Sequence, residues 1–278
     1  MMPSRARYSI VCFLAAILLA LLDVSAGAQN SGQTPPTAKV LSAYAQSHEL
    51  VAKYRPPVRT RSAAGIAVYN AASPGVVLIV VGDVQGNDLT NVSLGSGVII
   101  DSAGYVLTNW HVVAGHRYGG VVLKPSTPAE LSNPRTYIGE VISENSVVDL
   151  ALIKLEKPPA DLKVIPLGNI SDVQIAETIN VIGHPAGGVP WSYTTGVISQ
   201  ISKNREWSYD DGSKHEADVL QMQTAINPGN SGGPVLDDSG KLLGLVAMSR
   251  EGAQNLDFAI AINVIRSFTS QAMASTAR

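Results

Sequence analysis

Cysteine is almost missing from this 278-residue chain; its single copy is Cys12. A disulfide scaffold, a zinc–cysteine site and a thiol nucleophile in the body of the protein are thereby excluded. A chain of this length can bury enough core without such staples. Charge is scarce as well. Charged residues make up 15% against 45% apolar, and the formal net charge is −2. That balance is too apolar for a disordered chain and lacks the basic excess of a nucleic-acid binder, so nucleic acid is not expected as a partner. No apolar run long enough to cross a bilayer occurs beyond the N-terminal segment.

That segment has its own pattern. Arg5 and Arg7 precede an apolar run from Tyr8 to Leu22, and Ala26-Gly27-Ala28 supplies a small-x-small site. This is the layout of a secretory signal peptide over 1–28, cleaved near Ala28. An uncleaved anchor is the alternative, although the run is shorter than the ~20 residues of a comfortable span. Cys12 would leave with the signal. The expectation is an exported protein, periplasmic or secreted, with no membrane partner after cleavage. Residues 29–64 read as an arm or linker: a polar lead-in with Pro35-Pro36, then a helix over 38–54 with Leu41, Tyr44, Ala45 and Val51 on one face, stopped by Pro56-Pro57.

From about Gly65 short β-branched runs recur, divided by turn residues: 76–81, 97–100, 105–109, 120–124, 137–143, 150–155, 178–183, 194–202, 218–224, 234–237, 241–249 and 257–262. No helical pattern alternates with them, so a βαβ design is not expected and an all-β barrel or sandwich is. Only 263–275 reads as a helix, with Asn263 as N-cap. The segment 155–169 interrupts the strands near the middle, where two barrels could join: one over about 65–160, the other over about 161–262.

Within this frame "AINPGNSGGPV" (225–235) crowds glycine and proline around Ser231. Such a run forms a turn more often than a catalytic loop. It also fits G-x-S-x-G, the nucleophile elbow of α/β-hydrolases. That fold needs a histidine after its serine, and His48, His111, His116, His184 and His215 all precede Ser231. The order His, Asp, Ser is available instead. His111 follows one predicted strand, and Asp149 opens another. A serine hydroxyl needs a base to take its proton, and the base needs a third group to fix its tautomer. Gly229 permits a sharp turn on which its own N–H and that of Ser231 could converge on a developing oxyanion. Metal-dependent hydrolysis through His111 and His116 does not match H-E-x-x-H spacing, and no metal or cofactor is expected.

Seven ordered motifs extend the pattern: "GSGVIID" 95–101, "GYVLTNWHVV" 104–113, "DLALIKL" 149–155, "INVIGHPAG" 179–187, "TTGVIS" 194–199, "QTAINPGNSGGPVLDDSGKLLGL" 223–245 and "DFAIAIN" 257–263. They resemble the HtrA (Deg) type of chymotrypsin-fold serine protease. The resemblance implies two six-stranded antiparallel β-barrels with a C-terminal helix and a cleft between the barrels, within one protease domain over 65–278. It implies His111 as general base, Asp149 as its orienter and Ser231 as nucleophile, with Gly229 and Ser231 amides as the oxyanion hole. Strand 245–249 would line the substrate, placing Ala247, Met248 and Ser249 in the binding cleft. Ala225, followed by Ile226, stands where trypsin-like enzymes place a pocket acid, so cleavage after small or medium apolar residues is expected. Polypeptide substrates and a homotrimer are the partners the resemblance points to.

Four departures qualify it. The chain ends at Arg278, so no PDZ domain is expected, and 82–94 reads as a short loop. His184 stands where the family often has Asn, and a structural role is expected for it. Asn230 replaces the Asp that pairs with a new N-terminus in pancreatic-type relatives, so no clipping beyond signal removal is expected. The resulting reading is an exported serine endopeptidase acting on unfolded or damaged proteins. A chaperone-like or peptide-binding protein on the same fold is the alternative.

Overall fold

The computed structural model describes residues 63–276 apart from 86–87, 128–129, 131–132, 187 and 250–255. The expected signal and the 38–54 helix lie outside the described residues. The described chain opens with helix α1, Ala63–Ala72, closed by a 3₁₀ turn over Ser73–Gly75. Sequence periodicity did not reveal α1, because its alanines favour helix without marking a face.

Six strands follow: β1 Val76–Gln85, β2 Asp88–Asp101, β3 Tyr105–Thr108, β4 Tyr118–Val122, β5 Thr136–Asn145 and β6 Leu150–Leu155. A one-turn helix α2, Trp110–Val113, sits between β3 and β4. The second six are β7 Thr178–Gly183, β8 Ser192–Ser208, β9 Lys214–Gln223, β10 Pro234–Leu236, β11 Leu242–Ser249 and β12 Asp257–Ala261, and helix α3 spans Ile262–Thr276. The first set closes into an antiparallel barrel in the order β1-β2-β3-β6-β5-β4. The second closes as β7-β8-β9-β12-β11-β10, the same path repeated. Closure removes the free sheet edges that would otherwise invite aggregation.

Alternation along β1 explains its unbroken apolar run. Val77, Ile79 and Val81 pack with Ile99, Val106, Val121 and Ile153 in the first barrel's core. Val76, Leu78 and Val80 belong to another cluster, which also takes in Ile182, Leu245 and Phe258 from the second barrel and Ile265 and Phe268 from α3. Both faces of the strand are therefore buried, and each such side chain contributes roughly 1.5–3 kcal/mol. A third cluster, with Ile179, Val181, Ile198, Leu220, Val235 and Val246, fills the second barrel. The connecting segment is stitched to both barrels: Ile165 N–H donates to the Ile99 carbonyl (2.9 Å) and Gly168 N–H to that of Leu242 (2.9 Å).

Three local expectations differ from the structure. Segment 82–94 is mostly strand, with Asp83 opposite Thr90 and Gln85 opposite Asp88, because the barrel ladder continues through polar residues. The strands expected at 194–202 and 218–224 run on through 203–208 and 214–217 as the distal half of the β8–β9 hairpin, leaving 209–213 as its tip. Asn263 does not cap α3; that helix starts at Ile262, and the Asn263 amide donates to Asp218 Oδ2 at 2.8 Å.

Candidate active site

His111 is delivered by α2, immediately after β3. As a first-turn residue its backbone N–H has no intrahelical acceptor. It donates instead to Asp149 Oδ1 at 3.0 Å, while the imidazole Nδ1 lies 2.9 Å from Oδ2 and 3.1 Å from Oδ1 of the same carboxylate. An ionised carboxylate only accepts, so Nδ1 carries the proton and Nε2 keeps its lone pair. Asp149 is fully buried in the turn before β6, at φ 54°. That left-handed conformation is one Asp and Asn tolerate better than other side chains. Asn109 secures the turn from behind, donating through Nδ2 to the Asp149 carbonyl at 3.0 Å.

Ser231 comes from the second barrel, on the loop before β10. Its carbonyl accepts from Ser96 N–H of β2 at 2.8 Å, which ties the loop to the first barrel. Its Oγ donates to the Ala247 carbonyl at 3.4 Å rather than to His111. Around it, the Asn230 N–H donates to the Asn227 carbonyl at 3.0 Å, closing a turn with Pro228 and Gly229 at its centre. Gly229 has φ 92°, so the turn is type II, the form that wants glycine at that corner. A Cβ there would also collide with the His184 carbonyl.

The orientation of the 228–229 peptide follows from one bond. Ala186 N–H donates to the Pro228 carbonyl at 2.7 Å. In a trans peptide the carbonyl and the next N–H point oppositely. Gly229 N–H therefore faces away from Ala186. The far side of the turn is held by Ser96, whose Oγ donates to the Gly229 carbonyl at 2.8 Å. Because that hydroxyl has one proton, it must accept from His184, both from N–H (3.2 Å) and from Nδ1–H (2.9 Å). Ser96, Ala186 and His184 were not identified as functional from the sequence. His184 holds the turn from beneath, its ring edge-on to Trp191 at 4.7 Å.

The remaining predicted residues frame the cleft less completely. Ala225 is exposed, and Ile226 is half-buried against the core of the second barrel. Ala247 is buried, and Met248 and Ser249 continue β11 opposite Phe258 and Asp257. Among the described residues no group of three or more His, Cys, Asp or Glu is placed to hold a metal.

Comparison with known proteins bears on this geometry. The family model of the trypsin-like peptidase domain matches residues 95–245, more than half of the chain.

The chain belongs to the trypsin-like peptidase family.

The matched span runs from β2 to β11 and holds His111, Asp149 and Ser231. A relative in Synechocystis sp., HhoA, named as a serine protease, is 36% identical over 169 residues, 61% of this chain and 40% of that protein. A Staphylococcus aureus protein named "Serine protease HtrA-like" is 31% identical over 186 residues, 64% of this chain and 23% of that one. This peptidase chain thus spans less than half the length of these relatives. The solved structure titled "HtrA-type protease AlgW with tripeptide" superposes with a TM-score of 0.61 at 29% identity, covering 74% of this chain and 62% of that one. A serine endoprotease from Yersinia pestis gives 0.60 at 25% identity, covering 79% and 68%.

His184 gives this peptidase a pH dependence of stability. Burial pushes its pKa down to about 3, against ~6.5 for an unfolded histidine. Between those values the unfolded chain binds a proton that the folded chain refuses. Its contribution is therefore fully present above about pH 6.5 and is lost as pH falls toward 3, at about 1.4 kcal/mol per unit. The melting temperature is expected to fall from pH 7 to pH 5, and to fall less in His184→Asn, whose amide can donate to Ser96 without titrating. Equal acid slopes in the two proteins would contradict this role.

Proposed function

We propose that this chain is an exported serine endopeptidase that cuts unfolded or damaged polypeptides through His111, Asp149 and Ser231. The observation that carries the reading is the convergence of two prepared halves: an imidazole fixed in the base tautomer by a buried carboxylate, and a serine beside a turn whose Gly229 N–H is already turned outward. When a peptide enters, its N–H takes the Ala247 carbonyl and releases the Ser231 hydroxyl toward Nε2 of His111. The proton passes to Nε2 as Oγ attacks the scissile carbonyl carbon. The N–H groups of Gly229 and Ser231 receive the oxyanion. His111 then hands the proton to the departing amine, leaving an ester on Ser231. Water attacks that ester, giving one proton to His111; the bond to Ser231 then breaks, His111 returns the proton to Oγ, and the acid product leaves.

The resting bond from Ser231 to Ala247 favours the second reading, a peptide-binding protein with little catalysis, in any state where no substrate displaces it. Cleavage of a reduced, unfolded protein by the purified chain separates the two. Accumulating fragments support the endopeptidase, and saturable binding with an intact substrate supports the other.

Substrate choice follows from Ala225 and Ile226. Neither carries a charge to pair with Arg or Lys, and burying an unpaired cation is costly. A peptide library is expected to show cleavage after Val, Ala or Ile. Dominant cleavage after Arg or Lys would overturn this pocket assignment.

A further inference from the structure

We propose that Tyr209, at the tip of the β8–β9 hairpin, is a positioning residue of the active site: its hydroxyl locks the Asp149 carboxylate and ties it to the strand beside Ser231. This rests on the triad reading above and adds a fourth member that neither the sequence motifs nor the family model assigns.

The geometry is specific. Tyr209 Oη donates to Asp149 Oδ2 at 2.9 Å and leans on the Ala247 carbonyl at 3.2 Å. Asp149 belongs to the first barrel and Ala247 to the second, so one proton is shared across the cleft. Ala247 is also the acceptor of the Ser231 hydroxyl. The phenol thus links the group that orients His111 to the carbonyl that holds the resting nucleophile. Its ring lies against the His111 imidazole, centroids 4.8 Å apart, and so limits the second freedom that matters, ring tilt.

The hairpin is anchored to do this. His215 Nδ1 meets the Ser146 carbonyl at 2.6 Å, and Glu216 N–H donates to that of Val147 at 2.7 Å. Both acceptors precede Asp149 in the same turn. Trp207 stacks on His215 at 5.3 Å, and Tyr209 packs tilted against the same imidazole at 4.8 Å. Burial, with the adjacent Asp149 charge, pushes the phenol pKa well above its usual value, so it remains a donor across the working pH range. The carboxylate has four contacts to fill: His111 N–H and Nδ1–H account for three, and Tyr209 supplies the one that stops it from swinging away from the imidazole.

Tyr209→Phe removes the hydroxyl and keeps the ring. With a short apolar peptide substrate we expect kcat to fall about 10–100-fold, as loss of a hydrogen bond to a charged group implies, with KM changed less than threefold and the low-field proton resonance of His111 Nδ1–H broadened or shifted. Thermal melting of the variant serves as the check on folding, and kcat is read at a temperature where both proteins are folded. Unchanged kcat and an unchanged resonance in Tyr209→Phe, while His111→Ala and Ser231→Ala are inactive, overturn the positioning role and leave the triad standing. Activity that survives in His111→Ala and Ser231→Ala overturns the triad itself. A loss in Tyr209→Phe that appears only as raised KM overturns the proposal in favour of a substrate-contact role.

Discussion

Ser231→Ala is expected to lower turnover of an unfolded polypeptide by about 10⁶, the scale seen when a triad nucleophile or base is removed. The fold should survive the change. The backbone of residue 231 is held by its own carbonyl on Ser96 N–H (2.8 Å), and the adjoining Gly232 N–H is held by the Val246 carbonyl (2.9 Å). The only described side-chain bond lost is the 3.4 Å contact to Ala247. The variant should therefore still bind peptides, with affinity unchanged or improved once Ala247 has no intramolecular donor but Tyr209. Steady-state cleavage and equilibrium binding of the same peptide check both halves. Turnover within tenfold of the parent would show that another group performs the chemistry.

Asp149→Asn is expected to cost on the order of 10⁴ in kcat. Asparagine tolerates the φ of 54° at this position, so the turn before β6 should form as before. The difference lies in what the amide can accept. Asp149 receives protons at both oxygens, from His111 N–H at Oδ1 and from Nδ1–H and Tyr209 at Oδ2. An amide has one oxygen. If that oxygen serves the His111 N–H, its NH₂ faces Nδ1 and forces Nδ1 to accept. The imidazole proton then sits on Nε2, where it cannot take the serine proton. Single-turnover kinetics should show acylation slowed, with hydrolysis of the acyl-enzyme slowed as well, because His111 is the base in both steps. A loss below tenfold would mean that Asp149 does not set the tautomer.

How much of this was legible beforehand depended on the range of the signal. β6 and β7 match their apolar runs residue for residue, because strands buried on both faces write themselves as nearly continuous apolar stretches. Strand lengths were less readable where the ladder outran the apolar pattern, as at 82–94 and 202–208. The His, Asp and Ser candidates could be named because each sits in a local motif. Ser96, Ala186 and Tyr209 act through partners 133, 42 and 60 residues away, and no spacing in the chain announces such contacts. Tyr209 did leave a trace: an aromatic at the head of "YDDGS", an Asp-Gly turn signal between two alternating runs. That signal went unread, and the three-dimensional arrangement showed both the hairpin and what its tip touches. His184 is the intermediate case, visible as an unusual residue in "IGHPAG" but explained only by its bonds to Ser96.

The central claim is that Ser231 is a nucleophile made reactive by His111. A fluorophosphonate probe tests it most directly, read by intact mass and peptide mapping on the purified chain and on His111→Ala. The account predicts a single adduct per chain, located on Ser231 and nearly absent from the His111 variant. No adduct on the parent chain, or equal labelling of Ser231 with and without His111, would contradict it.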